Sequence, residues 1–149
     1  MAWEYAFPLQ TFSCRCRSGL DQLFEVRVEG GFESATQIWF YYVRPVGVEI
    51  TDDGQYEAHF KEVDATLLQL DWANNALPDQ FQRCGITRSL IPVVAAHRQT
   101  RIRSSRNGPG ETRSTAATRS WQRMVADGIA SFDPVEDRYF YPLALGGAA

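Results

Sequence analysis

The sequence predicts an α+β or α/β protein, and three observations predict it. Residues before about 72 are dominated by β-formers in short runs. After Gly85 the apolar spacing changes to three and four residues, as on one face of a helix. Two further β-rich runs then close the chain. At 149 residues it is long enough for one domain with a sizeable core and short for two, so residues 1–149 read as a single domain.

The elements follow in order. Leu23–Glu29 alternates, with Phe24, Val26 and Val28 on one face, as in a strand with one buried side, and Gly30-Gly31 is expected to break it. Thr36–Val43 is aromatic and β-branched, a strand stopped at Arg44-Pro45. Val46–Ile50 and Tyr56–Val63 flank a turn whose Asp53-Gly54 pair is a hairpin signal. Ala65–Trp72 fits either a further strand or a helix. From Gly85 to Arg98 the positions Ile86, Leu90, Ile91, Val93, Val94 and His97 give a helix one apolar face, and Pro92 inside it is expected to kink or shorten it. Arg101–Ser105 is a short strand, and RNGPGETR after it reads as a flexible loop. Ser114 or Thr115 can cap a helix running to about Asp127, with Ala117, Trp121, Met124 and Val125 inward and Gly128 ending it. Ile129–Phe132 and Arg138–Leu143 read as closing strands, and residues 146–149 as a disordered tail.

Composition narrows the functional classes. Hydrophobic residues make up 44% and no apolar run approaches the roughly 18 residues of a membrane span, which predicts a soluble protein. The opening MAWEYAFPLQ lacks a basic segment followed by an apolar one, which predicts cytoplasmic residence. Cysteines 14, 16 and 84 are odd in number and lack C-x-x-C spacing, which argues against a disulfide framework or structural zinc. His59 and His97 are the only histidines and read as surface or half-buried imidazoles, with no metal expected.

The net charge of −3 hides an asymmetry. Residues 1–75 carry 12 acidic and 5 basic side chains, and residues 76–149 carry 6 and 10. Nine arginines fall between Arg83 and Arg123, with Glu111 the only acid among them. Such a region suits a phosphorylated ligand or nucleic acid, because arginine offers a planar fork to phosphate oxygens. The acidic total and the lack of an aromatic-rich basic motif argue against nucleic acid. The aromatic strand Ile38–Val43, if exposed, suits a homodimer.

The segment LPDQFQRCGITRSL at 77–90 carries the chemistry. It sets Gln82, Arg83, Gly85 and Thr87 in Q-x-x-G-x-T order before a helical run, and such a turn can aim backbone N–H groups and a helix dipole at a pyrophosphate. This turn, with IRSS at 102–105, AATRSWQRMVADGIASF at 116–132 and DRYFY at 137–141, resembles the GNAT-type N-acetyltransferases (acyl-CoA N-acyltransferase fold) over nearly half the chain. The resemblance implies a GNAT-like, mixed, mostly antiparallel twisted sheet with two main helices. It implies acetyl-CoA or a related acyl-CoA as co-substrate, held by Gln82, Arg83, Cys84, Gly85, Ile86, Thr87 and Arg88. The reaction implied is direct attack of an unidentified amine on the thioester. Ser104 and Ser105 then lie where the sheet opens around the cofactor, and Glu57, Glu62, Asp64 and Asp71 are base candidates. Among these, Ser104, Ser105, Glu62 and Asp71 are the catalytic candidates.

The chain departs from the family in three places. Thr87 replaces a small residue, Trp121 stands where the family places a tyrosine, and CRCRSGLDQL at 14–23 leaves room for one helical turn where the family inserts acceptor-site helices. These departures carry the alternative of a non-catalytic binding or assembly protein.

Overall fold

A computed structural model describes residues 6–50 and 54–143. It contains strands β1 (Phe7–Arg15), β2 (Asp21–Glu33), β3 (Thr36–Pro45), β4 (Tyr56–Asp64), β5 (Leu67–Asn75), β6 (Arg101–Ser104), β7 (Ser131–Asp133) and β8 (Arg138–Tyr141). Helix α1 spans Ile86–Arg98 and α2 spans Thr115–Ala126, with a 3-10 turn at Asp79–Phe81. The strands form one eight-stranded sheet in the order β1-β2-β3-β4-β5-β6-β8-β7. Among the described residues, no helix is long and apolar enough to cross a membrane.

This architecture corrects the GNAT-like fold expected from the resemblance. Strands hold 47% of the described residues and helical segments 21%, so the described part is strand-dominated, an eight-stranded sheet with two helices. Among the described residues both helices and seven of the eight strands overlap segments legible in the sequence, so the difference lies in β1 and in the pairing of all the strands into one sheet. β1 had no strand signal, yet it pairs with β2 from Phe7↔Val28 to Arg15↔Asp21. Val46–Ile50, expected as a strand, is a turn followed by irregular chain. The Asp53 hairpin signal and the tail at 146–149 lie outside the described residues.

The chain divides into two compact units, the first running to Phe60 and resuming at Trp72–Ile86, the second comprising Lys61–Asp71 and the chain from Thr87. In the first, Phe24, Val26 and Val28 of β2 face the same side and stand opposite Pro45, Val43 and Tyr41 of β3. Phe24, Val26, Tyr41 and Val43 are fully buried. Tyr41 meets Phe60 edge-on at 5.4 Å, and Phe24 meets Phe81 edge-on at 6.1 Å. Gly30-Gly31 does not break β2. A Cβ at Gly30 would lie 3.1 Å from the Trp39 ring and one at Gly31 would lie 2.8 Å from the Phe40 ring, so the pair gives two aromatic rings room across the strand. β3 lies between β2 and β4, and its Ile38, Tyr41, Tyr42 and Val43 are buried. Its Trp39 and Phe40 are half-buried.

In the second unit, the start of β5 runs parallel to β6, from Leu67↔Arg101 to Leu70↔Ser104, which resolves the open segment as strand. Leu68, Leu70, Leu90, Ile91, Val94, Ile102, Trp121 and Met124 are buried. Pro92 sits inside α1, which nevertheless stays helical across it. Its cost of about 3 kcal/mol is offset by the neighbouring Leu90, Ile91 and Val94, whose burial contributes roughly 1.5–3 kcal/mol each. Ser114 caps α2, its side chain accepting from Ala117 N–H at 3.0 Å, and Gly128 follows the helix with φ +77°. Trp121, completely buried, stacks on Tyr139 with centroids 5.9 Å apart, so it belongs to the core.

Candidate functional site

The turn after β5 is built by two amide side chains. Asn75 Oδ1 accepts from Leu77 N–H at 3.0 Å, and its Nδ2 donates to the Phe81 carbonyl at 3.2 Å. Gln82 Nε2 donates to the carbonyls of Asn75 at 3.0 Å and Leu77 at 2.8 Å. The Gln82 side chain therefore holds the turn closed. Arg83 (φ 58°) and Gly85 (φ 75°) are both left-handed, and α1 starts at the next residue. A left-handed conformation costs a residue with a Cβ roughly 1–2 kcal/mol, so Arg83 needs surrounding structure to hold it. Cys84 supplies it by a disulfide to Cys16, across 68 residues.

That bond corrects the reading of the cysteines. Motif spacing detects partners close in sequence, whereas Cys16 and Cys84 meet only through the fold. Cys14 takes no part in a disulfide and is buried. Of the residues expected to hold acyl-CoA, Gln82 is taken up by the turn, Cys84 by the disulfide and Ile86 by burial. Arg83 is exposed, and Gly85, Thr87 and Arg88 are half-buried.

The densest polar arrangement lies in the second unit. Side chains alternate along β6, so Ile102 and Ser104 are buried on one face while Arg101 and Arg103 point to the other. On that second face Arg138, only 5% exposed, makes a two-point contact with Glu111: Nη1 to Oε1 at 2.9 Å and Nη2 to Oε2 at 2.8 Å. Its Nη1 also donates to Gln69 Oε1 at 3.0 Å and to the Ser104 carbonyl at 3.0 Å. Gln69, 1% exposed, donates through Nε2 to Glu111 at 2.8 Å and to Asp71 at 3.2 Å. Arg103 Nε donates to the same Gln69 Oε1 at 2.8 Å. Arg106 adds an ion pair to Glu111 Oε2 at 3.3 Å. The Arg138 hydrogen bonds hold the Glu111 carboxyl down at about 2, against the opposing effect of burial.

A second pair braces the first. Arg113 Nη2 donates to Asp137 Oδ1 at 2.9 Å, its Nη1 donates to the carbonyls of Asp137 and Ser105, and its Nε donates to Thr118 Oγ1. Asn107 N–H donates to Asp137 Oδ2 at 3.1 Å, and this backbone bond, followed by Arg113, lowers the Asp137 carboxyl below its ordinary value. The glycine-rich loop read as flexible is thus pinned from both sides. Gly108 and Glu111 also pair through their backbones.

The structure gives each catalytic candidate a place. Ser104 Oγ donates to the Ser105 carbonyl at 2.7 Å and accepts from Tyr139 N–H at 2.9 Å. Ser105 Oγ donates to the Thr112 carbonyl at 2.9 Å. Asp71 accepts from Gln69 and pairs with Lys61 at 3.7 Å. Ser104 and Asp71 therefore meet the same network, Ser104 through its carbonyl. Glu62 is half-buried on β4. Asp64 accepts from Thr66 N–H and Oγ1, which lowers its carboxyl. Glu57 pairs with His59 in the first unit. His59 also lies edge-on to Phe40 and against Trp72, each at 4.7 Å. Among the described residues, no group of three or more His, Cys, Asp or Glu is placed to hold a metal ion.

Sequence reasoning missed Gln69, Glu111, Arg113 and Arg138 as a constellation. One signal pointed to it: a single acid among nine arginines is the natural partner for several of them. Compared with protein-family models, curated proteins and solved structures, the chain matches none.

Proposed function

We propose that the chain binds an acyl-CoA-type ligand at the turn following β5, keeping there the ligand chemistry of the N-acetyltransferases that the turn resembles in sequence. One observation carries this reading: two left-handed residues, Arg83 and Gly85, bracket a disulfide-held Cys84 immediately before a thirteen-residue helix. Alternation of right- and left-handed residues in a turn brings successive backbone amides to one side, the arrangement that receives phosphate oxygens, and Arg83 and Gly85 are left-handed positions of that kind. Gly85 also lets a ligand approach the backbone closely. Calorimetric titration with acetyl-CoA, CoA and 3′-dephospho-CoA tests it, and Gly85→Ala is expected to weaken binding by about tenfold. Absence of saturable binding would end the proposal.

Transfer of the acetyl group to an amine is the finer form of the proposal. A second reading, binding or assembly without turnover, is favoured by the hydroxyls of Ser104 and Ser105, which both donate to carbonyls within the protein. A serine needs an adjacent base to act as a nucleophile. Acetylation of any member of a broad amine panel would decide for the enzyme. Cytoplasmic residence belongs to the proposal too, and the Cys16–Cys84 bond opposes it, because reducing compartments keep thiols unpaired.

A further inference from the structure

The distribution of charge across the Glu111 network is uneven. Glu111 is the carboxylate at its centre, and its two oxygens are taken by Arg138 and Arg106. Arg103 receives only the neutral Gln69 oxygen, on Nε. Among the described residues it makes no ion pair, and no acceptor contacts its two Nη atoms. It is nevertheless half-buried, and burial followed by the nearby Arg138 charge disfavours its guanidinium, against the opposing effect of the Glu111 and Glu136 carboxylates. An arginine in that position gains from an anion brought to its open fork.

Its orientation is fixed from behind. Gln69 Nε2 donates to Glu111 and Asp71, which sets the amide so that Oε1 faces Arg138 and Arg103 together. Holding Nε in this way leaves the Nη1/Nη2 edge of the guanidinium as its remaining donor pair. That edge matches two oxygens of a carboxylate or a phosphate. Neighbouring groups leave this edge distinctive: Arg101 lies over the Phe140 ring at 5.2 Å with an Nη2 bond to the Pro142 carbonyl, and Arg106 is paired with Glu111.

We infer that Arg103, oriented by Gln69 on the β5–β6–β8 face of the second unit, is the anchor of a binding site for an oxyanion group, phosphate or carboxylate, of a small ligand. Gln69 is a positioning residue, acting through Arg103. The site is independent of the acyl-CoA reading and stands or falls without it.

The test uses the full chain, oxidised, with inorganic phosphate and acetate as probes at constant low ionic strength, followed by titration of the arginine Nε–H signals in NMR. Wild type is expected to saturate in the millimolar range with a shift of the Arg103 signal. Arg103→Gln is expected to weaken binding by about tenfold, the loss of a charge-assisted two-point contact. Arg101→Gln, two residues away on the same face, is expected to change it less than about twofold. Gly85→Ala is expected to leave phosphate binding intact, which separates this site from the turn after β5. Whichever probe binds more tightly names the oxyanion. Should Arg103→Gln fail to fold by circular dichroism, Arg103→Lys serves: a point charge without the fork is expected to bind several-fold more weakly. No saturable shift at Arg103, equal losses for Arg101→Gln and Arg103→Gln, or full binding by Arg103→Lys would overturn the inference.

Discussion

Glu111 and Arg138 meet through two parallel hydrogen bonds of 2.9 and 2.8 Å, although they lie 27 residues apart on a loop and on β8. Their side chains are 14% and 6% exposed, so the pair is shielded from the solvent that weakens ion pairs at the surface. Gln69 donates to one partner and accepts from the other. The loop, β5 and β8 are tied by one polar cluster.

Glu111→Gln keeps the size of the side chain and removes its charge, leaving Arg138 with no carboxylate partner. Removing one member of a buried pair costs about 3–5 kcal/mol. Urea unfolding of the variant is expected to show a loss at the lower end of that range. An unchanged midpoint would mean that Arg138 is served well enough by Gln69 and the Ser104 carbonyl.

Acid should destabilise the protein by the same route. The Glu111 carboxyl is held at about 2 in the folded state, below its ordinary 4.5. A group with a depressed folded pKa contributes stability above its unfolded pKa and loses it as pH falls through the folded one. Stability should therefore fall between about 4.5 and about 2, helped by Asp137, which is shifted in the same direction. Thermal melts across this range check it, and Glu111→Gln is expected to show a shallower slope than wild type.

The Cys16–Cys84 bond closes a long loop, and such a crosslink contributes about 2–4 kcal/mol by restricting the unfolded chain. Melting with and without reductant should show a lower Tm on reduction, and Cys84→Ser should match the reduced protein. Thiol titration of the denatured protein should find one reactive cysteine, Cys14, before reduction and all three after it.

Gly31→Ala places a Cβ 2.8 Å from the Phe40 ring. Moving a half-buried ring costs about 1 kcal/mol, more than the reduced freedom of the unfolded chain returns. The variant is expected to unfold at lower urea, whereas Ala at Gly108, whose Cβ meets only Arg106 Nε at 3.8 Å, should be tolerated.

How far these features were legible in the sequence depends on the range over which each acts. The inward set Phe24, Val26 and Val28, the Ser114 cap and the helical run through Leu90 and Val94 are local patterns, and they could be read directly. β1 was missed because Phe7–Arg15 carries little alternation and is recruited by pairing with β2. Gly30-Gly31 was misread because a glycine pair punctuates chains in general, while here it makes room for Trp39 and Phe40. The GNAT-like expectation weighted a short turn and an order of elements. It undervalued strand content that appears only on pairing. Cys16–Cys84 and Glu111–Arg138 are long-range relationships between residues that carry no mutual spacing signal. The candidacy of Ser104 and Ser105 rests on where the sheet of the resembled family opens around its cofactor, which says nothing of the carbonyls that their hydroxyls reach.

The most direct test of the central claim is calorimetric titration of the oxidised protein with acetyl-CoA, with CoA and 3′-dephospho-CoA alongside. Saturable binding in the micromolar range is expected, weakened by Gly85→Ala because a Cβ opposes the left-handed backbone at Gly85. Absence of heat and of any thermal shift with all three ligands, in protein whose Cys16–Cys84 bond is intact, would contradict it.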